Sequence, residues 1–570
     1  MKKKLIILSP DPAAVREIQR QTGYHPVIAR ILANRDISSE AAIADFFNPS
    51  LGRIRSFESL VDMDKAVLRI SRALLQNEKI LVYGDYDVDG ITATTVLYEF
   101  LSAAGANVGY YIPHRTEEGY GLNVFQIDNV IIPGKFNLVI TIDCGSSSHD
   151  AVEKAALAGI DIIITDHHNI FDPLPRAVAV INPKRHDCPS SASYLAGVGV
   201  AFCLIIRLRQ HLREINFWGR KSEPNLKDFC DLVAMGTIAD VVPLIKDNRI
   251  MTRSGLEVIN ASPRPGIAAL IQVSGVHKTA LDAEDIAFKL SPRLNAAGRM
   301  DHAKLAVNLL RAKNRDDAFD LAKHLNSLNA LRQEVEQKIL QQILMYLNDA
   351  PDALHSSAII LGKEEWHEGV LGIVASRLAE KFHRPAILIS FHGDTGKGSG
   401  RSIPGIHLYD ALCGCSPCLE GFGGHAMAAG IRVKKENMQN FRDCFEKNIA
   451  DQAKGQDFSP ALTVDSRLTF DMITEKLMDE LALLQPFGQG NSEPLFCAEN
   501  VRVAYSKIIG NGHRRLSLVQ GTAKASPLNA IWFNVDSDNL ERQQFDRLVF
   551  KLRWNHWNGK KSLQAMVEDL

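Results

Sequence analysis

What this chain lacks excludes several classes of protein. No stretch of its 570 residues approaches the roughly 18 consecutive apolar side chains of a membrane-crossing helix. The opening "MKKKLIILSPDP" starts basic, but its apolar run gives way to prolines after about four residues, so no secretory leader is expected. Net charge is nearly absent, with Lys+Arg at 65 against Asp+Glu at 66. Any site for a polyanion must then be a local patch rather than a global field. The nine cysteines are an odd number and scattered, which argues against a disulfide framework and for a reducing, cytoplasmic setting. Their one cluster, "CGCSPC" at 413 to 418, lacks a matching ligand pair elsewhere and reads as ordinary thiols rather than zinc ligands. With 46% hydrophobic and 23% charged residues the composition is that of an ordinary soluble protein, and the length calls for three or four domains.

What is present begins with "LVYGDYDVDG" at 81 to 90, where Asp85, Asp87 and Asp89 alternate ahead of a glycine. The spacing imitates the start of an EF-hand loop. However, the twelfth position, where a bidentate glutamate belongs, is Val96, and the incoming segment "KILVYG" is a β-branched run rather than a helix. The reading that remains is a buried strand whose C-terminal end delivers three carboxylates.

The form repeats. "FNLVITIDCGSSS" is an apolar strand ending at Asp143, and "AGIDIIITDHHNI" is another ending at Asp166, His167 and His168. Helix-length segments separate the three runs, so they predict βαβ units of a parallel sheet, with ligands bound outside the carboxyl ends of the strands. Many carboxylates with one or two imidazoles suit two Mg²⁺ or Mn²⁺ ions better than Zn²⁺. Such an ion pair clamps the attacking and leaving oxygens of an in-line displacement at phosphorus, which needs no protein nucleophile.

By order along the chain, the expected parts are an N-terminal helical region (1–77), a metal-binding catalytic domain (78–300), a connecting helix (301–350), a substrate-binding α/β domain (351–455) and a single-strand-binding domain (456–570). "CDLVAMGTIADVVPL" adds Asp240 to the metal domain. Leu325, Leu328, Val335 and Ile339 predict a long amphipathic helix that packs and joins two domains. In the second α/β domain "GKGSGRS" brings Ser399 and Arg401 together in a turn suited to phosphate, near "GFGGHAMAAG" with Gly423, Gly424 and His425. Further cations suited to a nucleic acid strand are His114, Arg115, Arg293, Arg299, His367 and Arg377, with Asn295 beside Arg293. Residues 501–570 carry eleven Lys/Arg against six Asp/Glu, interleaved with Tyr505, Trp532, Phe533, Trp554 and Trp557. Short β-type runs with that composition predict a small barrel of OB type that stacks single-stranded bases.

"GDYDVDGITA", "VITIDCGSSS", "ITDHHNI" and "AMGTIADVVPL" resemble, in order, the four motifs of the DHH phosphoesterase superfamily. "GSGRSIPGIHLYDAL" and "FGGHAMAAG" resemble its DHH-associated domain, while "SPRLNAAGRM" and the C-terminal domain point to the single-stranded-DNA exonuclease branch. The resemblance implies a multi-domain α/β fold: a parallel-sheet DHH domain and an α/β DHH-associated domain joined by a long helix, with a C-terminal OB-like β-barrel. It implies a 5′→3′ exonuclease on single-stranded DNA that releases 5′-mononucleotides in recombination and repair, with a single-stranded-DNA-binding protein and a RecQ-type helicase as partners.

Within that reading Asp87 and Asp143 bind one ion, and Asp89, Asp143, His167 and Asp240 the other, with Asp85 close by. His168 contacts the scissile phosphate and Asp166 orients its neighbours. By the resemblance Arg115, Ser399 and Arg401 hold a 5′-terminal phosphate, and Arg293 and Arg377 contact phosphates nearer the scissile bond. The alternatives are an inorganic pyrophosphatase, a short-oligonucleotide phosphodiesterase of the same superfamily, or a non-catalytic DNA-binding replication scaffold. The first two need no strand-binding barrel, and a scaffold predicts degraded metal positions.

Overall fold

The computed structural model describes residues 3–219, 221–350, 356–454, 461–510, 512–521, 527–536, 539–557 and 560–568. Chain contacts group it into two units, one of residues 54–242 with 254–458, the other of residues 1–53, 243–253 and 459–570.

The larger unit is built on a five-stranded parallel sheet of β1 (Lys79–Gly84), β2 (Asn107–Tyr111), β3 (Leu138–Ile142), β4 (Asp161–Thr165) and β5 (Ala179–Ile181), in the order β2-β1-β3-β4-β5. β1, β3 and β4 are almost wholly buried, as their unbroken β-branched runs demand when helices cover both faces. Helix α1 (Val88–Ala103) leaves β1 through Asp87, whose carboxylate caps the helix by accepting the Gly90 N–H. It packs against α2 (Gly197–Glu214) and α3 (Cys230–Ala239). β2 and β5 extend the sheet beyond the three strands that the apolar runs predict.

The predicted long helix is α4 (Arg315–Asp349), and Leu325, Leu328 and Ile339 are buried along it. Beyond it a second sheet is built on strands Ile359–Glu364, Ala386–His392, Thr395–Arg401, Gly421–Gly424 and Ala428–Lys434, with α5 (Glu368–Phe382) packed on it. Glycines let α5 approach. A Cβ at Gly372 would stand 2.9 Å from both Arg401 Nη2 and Ser399 Oγ, and one at Gly369 would stand 2.5 Å from the Arg299 carbonyl.

In the smaller unit, strands Phe496–Ile509, His513–Gln520, Leu528–Trp532, Lys560–Glu568 and Gln544–Trp557 close into a barrel when the first pairs with the last. Two of the five are 14 residues long, longer than the short runs expected. N-terminal helices Pro12–Thr22, Pro26–Asn34 and Glu40–Phe47 share the barrel's core: Ile18, Ile28 and Leu32 belong to one buried cluster with Leu477, Phe496 and Phe550. Strand Lys4–Ile7 pairs with Ala461–Val464, and the Arg249 guanidinium stacks on Phe46 while donating to the carbonyls of Phe46, Leu484 and Gln485. Chain ends far apart in sequence are thus one folding unit. Residues 54–77 of the expected N-terminal region lie instead in the larger unit.

Candidate metal centre

Register sets the site. Gly84, Ile142, Thr165 and Ile181 are paired across β1, β3, β4 and β5, so the residues that follow, Asp85, Asp143, Asp166 and Asn182, form a polar row at the carboxyl edge of the sheet. Asp143 takes a left-handed backbone (φ 61°), a conformation that aspartate tolerates better than most residues. A Cβ at Gly197 would stand 2.6 Å from Asp143 Oδ1, so only glycine leaves that carboxylate its space.

Around this row the metal-type side chains converge. Asp85, Asp87 and Asp143 form one group whose ligand atoms lie within 4.8 Å of one another, Asp89, His167 and Asp240 form a second, and Asp143, His167 and His168 a third. Asp143 and His167 therefore link the groups, with His167 Nε2 3.0 Å from Asp143 Oδ1, 3.7 Å from Asp89 Oδ2 and 3.6 Å from Asp240 Oδ2. Asp89 is fixed by the N–H groups of Gly197 (2.6 Å) and Val198 (2.9 Å) at the start of α2, and Asp240 by its place at the end of α3.

The electrostatics show what the cluster requires. Burial, then the negative neighbours, raise Asp85 and Asp143 well above the usual carboxylate range, Asp89 to about 7 and Asp240 to about 9. Burial and the charge of His168 push His167 down to about 3, leaving it a neutral ligand-type imidazole. Asp85 Oδ1, Asp143 Oδ1, Asp240 Oδ2 and both His167 nitrogens are buried without a hydrogen-bond partner among the described residues. Buried polar atoms are otherwise nearly always satisfied. Five carboxylates and a neutral imidazole, with unsatisfied atoms on three of the carboxylates and on the imidazole, fit divalent cations, which replace the missing partners and neutralise the repulsion.

Asp166 faces differently. It accepts from the backbone N–H groups of Ser146, His167 and His168 and from His168 Nδ1 (2.8 Å). Burial alone would raise it, but those bonds hold it well below its ordinary value. Burial would lower His168, yet the hydrogen bond and charge of Asp166, with Asp85 and Asp87, raise it to about 9. Tyr120 completes this group, with its hydroxyl 3.1 Å from His168 Nδ1 and 3.2 Å from the Asp143 carbonyl. The His425 ring stacks on His168 at 6.1 Å and 17°, and its Nδ1 lies 3.3 Å from Asn169 Nδ2.

The cations divide. Arg115 lies over the Tyr86 ring, Arg401 donates to Ser399 Oγ (3.2 Å) and the Gly400 carbonyl, and Arg299 donates to the Gly369 carbonyl (2.8 Å). Arg299 feels the charges of both Arg115 and Arg401. No carboxylate pairs with these three among the described residues, so the group favours an anion. Arg293 is tied to Asn326 Oδ1 and the Lys289 carbonyl, and Arg377 to Glu336. Asn295 Oδ1 accepts the Val88 N–H at the start of α1, and His367 caps α5. His114 is engaged by its own loop through Thr116, Glu117 and Glu118.

The motif reading passed over Tyr120, Asn182 and Lys184. Asn182 donates to Ser146 Oγ and the His168 carbonyl, both at 2.9 Å. Lys184 is exposed, its ammonium has no partner among the described residues, and its charge reaches His167, Asp240 and His425. The one available signal was "AVINP", a short apolar run ending in a polar residue like the other three strands.

Comparison with known proteins agrees with this architecture. The family model of the DHH family, N-terminal domain, matches residues 79–237, that of the DHHA1 domain 352–451 and that of the RecJ OB domain 464–569. The single-stranded-DNA-specific exonuclease RecJ of Escherichia coli (strain K12) is 37% identical over 561 residues, which cover 96% of each chain. The chain belongs to the RecJ family. Its relative in Bacillus subtilis (strain 168) is 34% identical, over 99% of this chain and 70% of that one. Among solved structures, the Thermus thermophilus RecJ in complex with Mn²⁺ superposes with a TM-score of 0.84 at 29% identity, over 99% of this chain and 79% of that one. An exonuclease RecJ bound to manganese gives 0.60 at 33% identity, over 70% and 98%. The expected fold class is borne out: a parallel-sheet domain, a second α/β domain and a closed C-terminal barrel.

Among the five aromatics expected to stack bases on that barrel, Trp532 is buried in the core and Trp554 packs against it with Lys561 over its ring. Tyr505 and Phe533 are exposed, and the side chain of Trp557 lies outside the described residues. Core packing claims large rings on the inward face of a barrel strand, which composition alone cannot assign. No helix among the described residues is long and apolar enough to cross a membrane.

Proposed function

We propose that this RecJ-family chain is a metal-dependent exonuclease that degrades single-stranded DNA 5′→3′ to 5′-mononucleotides in recombination and repair. The observation that carries the proposal is the cluster of Asp85, Asp87, Asp89, Asp143, Asp240 and His167, in which Asp85, Asp143, Asp240 and His167 have buried atoms without partners among the described residues, while α1 and α2 hold Asp87 and Asp89 by their N–H groups. Asp87 and Asp143 would hold one Mg²⁺ or Mn²⁺, and Asp89, Asp143, His167 and Asp240 the other, with Asp85 beside them. Two such ions supply the charge neutralisation and nucleophile activation of an in-line displacement at phosphorus. A filled cluster argues against a scaffold without catalysis.

The chain's own groups bind and orient. His168, kept protonated by Asp166, donates to the scissile phosphate, and His425 and Tyr120 fix its ring. Arg401, Ser399 and Arg115 grip a 5′-terminal phosphate, which sets polarity by admitting only a strand end. Arg293 and Arg377 take phosphates further along. Exposed Tyr505 and Phe533 on the barrel stack bases of the incoming strand. We extend the proposal, on family membership alone, to a cytoplasmic setting with a single-stranded-DNA-binding protein and a RecQ-type helicase as partners. One assay tests the core of it: 5′-labelled and 3′-labelled single strands, duplexes and RNA, each with Mg²⁺, Mn²⁺ or EDTA. Release of mononucleotides from the 5′ end of single-stranded DNA, abolished by EDTA, is the expected result; cleavage that EDTA leaves intact overturns it.

A further inference from the structure

Helix α4 was expected only to pack and to join two domains, yet it carries a buried charge. Glu336 is 1% exposed and faces two guanidiniums: its Oε2 lies 2.6 Å from Arg332 Nη1, on the same helix, and its Oε1 lies 2.6 Å from Arg377 Nε, on α5. Arg332 is also buried and donates to Asn329 Oδ1 at 2.8 Å. Arg377 is not buried. Its side chain is 52% exposed, and its Nη groups make no hydrogen bond among the described residues. One carboxylate between two guanidiniums leaves a net positive charge, carried outward by the exposed member. Arg332 in turn feels the charges of Glu336 and Arg377, and Arg299 feels Arg332, Arg115 and Arg401. The guanidiniums therefore form a chain from the Arg401 phosphate turn to Arg377, with Glu336 interposed at the far end.

A carboxylate that merely neutralised Arg377 would do so best in a bidentate pair, as Glu493 takes Nε and Nη2 of Arg553. Glu336 instead sets a single oxygen against Arg377, an ion pair of 2.6 Å at Nε without hydrogen-bond geometry, while its other oxygen is held by Arg332, so the Nη groups of Arg377 stay open. We infer that Glu336 is a positioning residue, which holds Arg377 by its Nε so that the exposed Nη fork receives a phosphate of the bound single strand. Arg332 anchors Glu336 in the helix interface. The inference rests on the proposed exonuclease reading, in which Arg377 contacts the DNA backbone.

The test is a double-mutant cycle of E336Q and R377A in the full-length chain, with KM and kcat on a long 5′-phosphorylated single strand in Mn²⁺, and a thermal melt of each variant. R377A should raise KM about tenfold, with kcat changed little, through loss of a charge-assisted phosphate contact. It should also flatten the dependence of log KM on log salt by about 0.7, the value for one single-strand phosphate. E336Q should raise KM nearly as much, and the double variant should be no worse than R377A alone. E336D, which keeps the charge but withdraws it from Nε, should fall between wild type and E336Q. Additive effects in the double variant, or loss of the cooperative melt in both E336Q and E336D, would show that Glu336 serves the fold and overturn the inference. A wild-type chain that leaves single strands uncut would instead overturn the exonuclease reading, so the two failures are distinguishable.

Discussion

His167 Nε2 lies 3.0 Å from Asp143 Oδ1, and both atoms are buried without a hydrogen-bond partner among the described residues. His167 is pushed down to about 3, so its imidazole is neutral, and Asp143 sits among four other aspartates. On the proposed reading, a cation shared by the two replaces their missing partners.

Substitution of Asp143 by asparagine should therefore lower cleavage by several orders of magnitude while the chain still folds. Without metal, the variant should melt no lower than wild type, because a repelling buried carboxylate has been removed. The rise in melting temperature on adding Mn²⁺ should largely vanish. Near-native activity in a folded variant would contradict the bridging role.

The pH dependence follows from the raised carboxylates. Asp89 at about 7 and Asp240 at about 9 lie above their unfolded values near 4, so the metal-free folded chain binds more protons than the unfolded chain across that window. Its stability should fall as pH rises from about 4 towards 9. Divalent ions displace those protons, so the stabilisation by Mn²⁺ should grow from pH 6 to pH 9. Melts with and without Mn²⁺ at several pH values check this, and a stabilisation that shrinks with rising pH would contradict it.

Arg401 should matter most for strands that carry a terminal phosphate. Arg401→Ala should reduce kcat/KM on 5′-phosphorylated strands by about 10-fold to 100-fold, the equivalent of roughly 1.5 to 3 kcal/mol, and much less on 5′-hydroxyl strands. Equal losses on the two substrates would assign Arg401 another role.

The barrel should be tested by point substitution. Deleting residues 459–570 would expose Ile18, Ile28 and Leu32 of the N-terminal helices, which share its core. Such a truncation should lose cooperative melting of the remaining N-terminal segment. Tyr505→Ala with Phe533→Ala leaves the core intact and should weaken binding to long single strands, each stacked base contributing roughly 1 to 3 kcal/mol. Cleavage of saturating short oligonucleotides should change little. Unchanged affinity for long strands would remove the barrel's exposed rings from the DNA path.

The sequence by itself determined the chemistry of the metal centre. Strands buried on both faces must be continuous β-branched runs, so "KILVYG", "LVITI" and "DIIIT" were legible. Whatever follows such strands lies at one edge of a parallel sheet, so the pattern alone brought Asp85, Asp143 and Asp166 together. Asp87 and Asp89 came with them because the motif is local. Only the tertiary structure decided what depends on contacts between distant segments. It brought the chain's N-terminal helices into the barrel's core, buried Trp532 and left Tyr505 and Phe533 exposed. It set Arg377 against Glu336, although they are on different helices, and placed Asn182 and Lys184 beside the histidines. A periodic pattern reports which face of an element is buried, but not which remote element buries it; that choice is made by packing, and with it the side chains that packing leaves free to bind.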